Sequence, residues 1–118
     1  MRIMTVEELT KAVLPVEIGS IFNIENIIEA TESTTFVLYE KPELIPQALE
    51  GKEVVLDGFC NPLELQHFPV KGKTLYLRLY RRRWKEKGTT EHFSNTYDLH
   101  APGVKATKDF GAFLKATL

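Results

Sequence analysis

The sequence predicts an α+β domain: a mostly antiparallel sheet of five or six strands, with a short helix at each end packed on one face. Short alternating or apolar runs recur through the middle of the chain, each bounded by Gly, Pro, Asp or Ser turn residues. A capping-box pattern opens the chain and a threonine-capped amphipathic stretch closes it. At 118 residues, with no linker-like composition inside, the chain reads as one domain, 1–118.

The elements follow in order. In Thr5-Val6-Glu7-Glu8-Leu9 the Thr5 hydroxyl can accept the N–H of Glu8, while the Glu8 carboxylate returns to the N–H of Thr5. Val6, Leu9, Val13 and Leu14 supply a short apolar stripe, and Pro15 ends it. Extended runs are expected at 21–30 and 34–40, joined by a Thr31-Glu32-Ser33 turn. Residues 42–49 contain two prolines and read as a loop or a single turn. Strands are expected at 53–56, 63–68 and 74–83. Asp57-Gly58 breaks the first, and Val70-Lys71-Gly72-Lys73 turns between the other two. After Lys87-Gly88 the polar-aromatic run 91–99 reads as one more strand, ended by Pro102-Gly103. The last helix, near 107–117, is capped by Thr107. It carries Asp109 in its first turn and Phe110, Phe113 and Leu114 on one face.

Charge is distributed unevenly along the chain. Residues 1–66 hold four Lys and Arg against twelve Asp and Glu, and residues 67–118 hold eleven against four, so a net charge of −1 conceals halves of −8 and +7. Such asymmetry points toward a polyanionic partner, because Lys and Arg release counterions from a phosphate backbone. One cysteine, Cys60, excludes an internal disulfide and a four-thiolate zinc site. No signal-like segment and no run of 18 apolar residues is found, so a cytoplasmic protein without a membrane partner is the expectation.

The densest basic segment is Arg78-Leu79-Tyr80-Arg81-Arg82-Arg83-Trp84-Lys85. If 74–84 is one extended strand, Leu75, Leu77 and Leu79 face the core, while Tyr76, Arg78, Tyr80, Arg82 and Trp84 alternate aromatic and guanidinium on the other face. Such a stripe can follow phosphates while its rings stack on bases or pack on sugars. Arg81 and Arg83 continue the leucine face beyond the sheet edge, where they reach solvent and contribute little to packing. The competing reading is internal: Arg78 and Arg82 stack on neighbouring aromatics and pair with carboxylates from the acidic half.

Cys60, His67, His92 and His100 match no finger or knuckle spacing, so neither a metal nor another cofactor is expected. Gly51-Lys52 and Gly72-Lys73 lack the upstream glycine and the following Ser or Thr of a phosphate-binding Walker loop. No nucleophile–base pair or carboxylate pair marks a catalytic site, and the chain is not expected to be an enzyme.

Phe68-Pro69-Val70-Lys71-Gly72-Lys73, Leu75-Tyr76-Leu77 and Arg81-Arg82-Arg83-Trp84 occur in that order. Tyr97-Asp98-Leu99, Gly103, Thr107-Lys108-Asp109-Phe110 and Phe113-Leu114-Lys115 follow. This order resembles the short N-terminal protein of split bacterial insertion-sequence transposases, whose catalytic part lies in a second reading frame. Phe22-Asn23-Ile24 and Leu38-Tyr39-Glu40-Lys41 fit the pattern more loosely. The hairpin also resembles one in the zinc-binding N-terminal domains of larger transposases, without the cysteine pairs found there. The resemblance implies a non-catalytic DNA-binding module that recognises element ends and partners the catalytic subunit. Arg78, Arg81, Arg82 and Arg83 would contact phosphates, supported by Lys71, Lys73 and Lys85, and Tyr76, Tyr80 and Trp84 would stack or pack on the DNA. The alternative is a protein-interaction module whose basic strand docks the catalytic subunit or another acidic surface.

Because the thiol and imidazole ligands are badly spaced, folding is expected to be independent of zinc. Thermal melts with and without a strong chelator should overlay, and a Tm that falls by many degrees on chelation would establish a structural metal.

Overall fold

The computed structural model describes residues 12–117; the Thr5–Glu8 capping box lies outside them. The fold is a small α+β domain of six strands in two sheets. It comprises α1 (Val16–Gly19), β1 (Phe22–Glu29), β2 (Ser33–Glu40), β3 (Val54–Phe59), β4 (Leu63–Val70), β5 (Lys73–Tyr80), β6 (Arg82–Glu86) and α2 (Lys108–Ala116). The four-stranded sheet has the order β1-β2-β5-β4, and β3 pairs with β6 in a second, two-stranded sheet. All pairings are antiparallel except β2–β5, which is parallel. No helix among the described residues is long and apolar enough to cross a membrane.

The period-two pattern of β5 builds the core. Leu75, Leu77 and Leu79 are at most 1% exposed and join Phe22, Leu38 and Leu65 of the neighbouring strands. Leu14, Ile18 and Leu99 complete the same cluster. Two-residue geometry fixes the β4–β5 hairpin: Lys71 and Gly72 both take positive φ, 51° and 74°, as a type I′ turn requires. The β1–β2 hairpin turns at Thr31-Glu32, and its tip lies beside this one: Lys73 Nζ donates to the Ala30 carbonyl at 3.0 Å.

At the C-terminus Thr107 caps α2 as expected, its hydroxyl accepting the Phe110 N–H. The same hydroxyl bonds His67 Nδ1 at 2.8 Å. Burial lowers the pKa of His67 and holds the imidazole neutral, so this histidine is a hydrogen-bonded core residue. Only Phe110 and Gly111 of α2 are buried; Phe113 is half-exposed and meets Phe68 edge to face at 5.4 Å.

Three sequence expectations change. The run 74–84 is not one strand. It leaves the four-stranded sheet after Tyr80, and Arg82 starts a strand in the other sheet, because β2, its parallel neighbour, ends at Glu40. Asp57-Gly58 does not end β3. The strand passes through both residues with a register shift between Leu56 and Phe59, and Gly58 supplies φ +80° for the bulge. Residues 91–99 form no strand; Phe93 alone bridges Trp84, with reciprocal backbone bonds of 2.7 and 2.8 Å.

Two substitutions test this packing. Leu77→Ala should cost about 2–5 kcal/mol in urea unfolding, and Tyr76→Ala on the opposite face clearly less. Gly111→Ala should also destabilise, by about 1–3 kcal/mol. Alanine is the better helix former, but its Cβ would lie 2.3 Å from the Ala101 Cβ. A stabilised Gly111→Ala protein would mean that α2 does not seat on Ala101 as described.

Candidate nucleic-acid interface

β5 carries Tyr76, Arg78 and Tyr80 on the face away from the leucines, each partly exposed. Cross-strand register sets their neighbours. Tyr76 lies between Thr35 and Gln66, Arg78 between Val37 and Glu64, and Tyr80 beside Tyr39. Arg78 Nε donates to Glu64 Oε2 at 3.1 Å, a surface ion pair contributing about 0–1 kcal/mol. A shallow groove of about 430 Å³ lies beside Tyr76, lined by Glu64, Gln66 and Lys105 among others. Lys71 is exposed at the hairpin tip, whereas Lys73 is tied to Ala30.

The three consecutive arginines diverge, and each is tied to a backbone carbonyl. Arg81 donates to Asn95 O at 2.6 Å, Arg82 to Glu40 O at 2.7 Å and Arg83 to Asp57 O at 2.7 Å. The Arg82 guanidinium also sits over the Phe59 ring, 5.6 Å from its centroid. These side chains therefore stitch separate segments together, contrary to the expectation that they contribute little to packing. Trp84 does not share the open face with Tyr76 and Tyr80: it is 8% exposed, and its Nε1 has no hydrogen-bond partner among the described residues. Lys85 is partly exposed on β6, opposite Val55.

Tyr80 is part of an aromatic cluster that joins the two sheets. Tyr39 and Tyr80 stack at 4.9 Å, and the Phe59 ring meets Tyr39 edge-on at 5.1 Å. Tyr39, Phe59, Gln66 and Lys105 were not among the expected site residues. The alternation of β2 places Tyr39 on one face, but no sequence signal relates it to Phe59, which joins it across the sheet boundary.

Glu40, fully buried, gathers the chain where the two sheets meet. Its carboxylate accepts the Arg82 N–H at 2.8 Å, the Asn95 amide at 3.1 Å and the Tyr97 hydroxyl. Burial raises the Tyr97 pKa, and the bond to Glu40 adds to the rise, so the hydroxyl stays protonated and donating. Nearby, His92 bonds the Asp57 carboxylate, which lowers the Asp57 pKa, and Cys60 Sγ lies 3.1 Å from Ser94 Oγ. Among the described residues no group of three or more His, Cys, Asp or Glu side chains is placed to hold a metal ion.

Comparison with known proteins finds no matching family model, no matching curated protein and no matching solved structure.

Glu40→Ala would leave several donors unpaired and should cost about 3–5 kcal/mol, whereas Arg78→Gln should cost less than about 1 kcal/mol. Urea unfolding of the two variants checks this; equal costs would remove Glu40 from its central place.

Proposed function

We propose that the protein is a DNA-binding module, the non-catalytic N-terminal part of an insertion-sequence transposase that works with a catalytic subunit from an adjacent reading frame. The observation that carries this reading is the open face of β5. There Tyr76, Arg78 and Tyr80 alternate and stay partly exposed, with Gln66 and Lys105 beside Tyr76. On this reading Lys71, Arg78 and Lys105 supply the phosphate contacts, with Lys85 and Arg83 extending the basic surface along β6. Tyr76 packs on sugar or base. Arg81 and Arg82 hold the scaffold, because both are bonded to backbone carbonyls of other segments.

A second reading has an observation of its own. Sheet pairing brings the basic half against the acidic half: Arg78 against Glu64, Lys87 against Glu53 and Lys52 against Glu86. A surface so neutralised disfavours nonspecific binding to a polyanion and leaves recognition to shape and local contacts. On this reading the cations unpaired among the described residues meet the catalytic subunit or another acidic protein surface.

Salt dependence separates the two readings. Each lysine or arginine neutralising a phosphate contributes about one unit to the slope of log affinity against log salt. Lys71→Gln, Arg78→Gln and Lys105→Gln combined should flatten the slope by about two to three units and leave the thermal melt nearly unchanged. An unchanged slope in the folded variant would remove this face as the contact. A parent protein without salt-dependent DNA binding would leave protein docking as the function.

A further inference from the structure

We propose that the cleft between the Tyr80 end of the four-stranded sheet and residues 96–100 is a binding site for a small carboxylate with an apolar body of about one ring. The proposal is independent of the DNA reading, since the cleft lies on the leucine side of β5 and uses none of the groups assigned to phosphate contact. Its volume is about 380 Å³, in the lower part of the roughly 300–1,000 Å³ range of small-molecule sites. Phe22, Leu63, Leu79 and Leu99 give it apolar walls.

The polar groups at its edge include no acid. Arg81 and His100 line the cleft together with the uncharged Asn61, Thr96 and Tyr97, and no Asp or Glu is among the lining residues. Some cations of this molecule face carboxylates, as Arg78 faces Glu64 and Lys108 faces Asp98. Arg81 pairs with none among the described residues and donates from one terminal nitrogen to the neutral Asn95 carbonyl. A guanidinium carries five N–H donors, so this bond fixes the side chain and leaves further donors on a group that borders the cleft and suits a carboxylate. The buried carboxylate of Glu40 already accepts from Arg82, Asn95 and Tyr97. His100 Nδ1 is engaged with the Ala101 carbonyl at 2.8 Å, which fixes the ring and leaves Nε2 as its second polar atom. An apolar pocket with one anchored cation and no carboxylate in its lining selects an apolar anion over a neutral isostere.

The test is an NMR titration of the whole chain with N-acetyl-phenylalanine, with N-acetyl-phenylalaninamide as the uncharged control, following the methyl groups of Leu63, Leu79 and Leu99. The acid should shift these methyls and bind about tenfold or more tightly than the amide. Thr96→Trp, at an exposed position on the rim, should block the shifts while the other methyl resonances stay dispersed. Arg81→Gln, if folded, should reduce the acid to the level of the amide; if it unfolds, Thr96→Trp decides. Equal binding of acid and amide, absence of shifts at the three leucines up to ~10 mM acid, or unimpaired binding by Thr96→Trp would each overturn the proposal.

Discussion

The structure turns on the carboxylate of Glu40. It ends β2, is inaccessible to solvent, and accepts hydrogen bonds from the first residue of β6 and from two residues of the irregular segment that follows. A buried carboxylate is tolerated only where several donors replace the lost water, so the chain has little freedom in where those donors sit. Arg82 supplies two contacts, its N–H to the carboxylate and its Nε to the Glu40 carbonyl. The turn out of the four-stranded sheet at Arg81 and the course of 95–97 are thus set by one residue. The tyrosine–phenylalanine cluster of Tyr39, Tyr80 and Phe59 then packs the second sheet against the first.

Uneven charge along the chain acquires a different meaning once the strands are paired. An acidic and a basic half separated in sequence would give a polarised molecule if each half folded by itself. They do not: β2 and the first half of β4, both from the acidic half, border β5, and β3 borders β6. Glu64 meets Arg78, Glu53 meets Lys87, and Glu86 of the basic half meets Lys52 of the acidic half. Each exposed pair adds little stability, but together they cancel much of the long-range field that sequence counting promises. Any polyanion recognised here would be held by local contacts on the open face of β5 more than by steering from a distance.

Much of the fold was legible because it rests on local rules. Alternation in β5 marked Leu75, Leu77 and Leu79 for the core; Lys71-Gly72 marked a hairpin; Thr107 marked a helix start. The break at Arg81 was not legible as a change of sheet, since the leucine alternation stops at Leu79 but the aromatic–arginine alternation of Tyr76, Arg78, Tyr80, Arg82 and Trp84 runs on across it. What ends the strand is the end of its neighbour β2 together with the demand of Glu40, both distant along the chain. Counting alternation across that break placed Trp84 beside Tyr80, whereas it belongs to the second sheet and is buried there. The 91–99 segment misled for a similar reason. Its alternating polar and aromatic residues look strand-like, yet they serve separate contacts: Phe93 bridges Trp84, Asn95 and Tyr97 bond Glu40, and Leu99 joins the core.

Arginine and lysine divide the work of this surface along chemical lines. A guanidinium is planar and weakly hydrated, so it can give one N–H to a carbonyl inside the fold and still present the remaining donors outward. Arg81, Arg82 and Arg83 each make such a bond, to three different segments, and three lysines in their place would carry compact, strongly hydrated heads poorly suited to it. Lys71, at the exposed hairpin tip, is free of that duty and can follow a flexible partner. The triple arginine is therefore first a structural clasp. A ligand role for it can be assigned only for donors that remain after the carbonyl bonds are made, and of the three side chains Arg81 is the one whose remaining fork borders a cleft free of carboxylates.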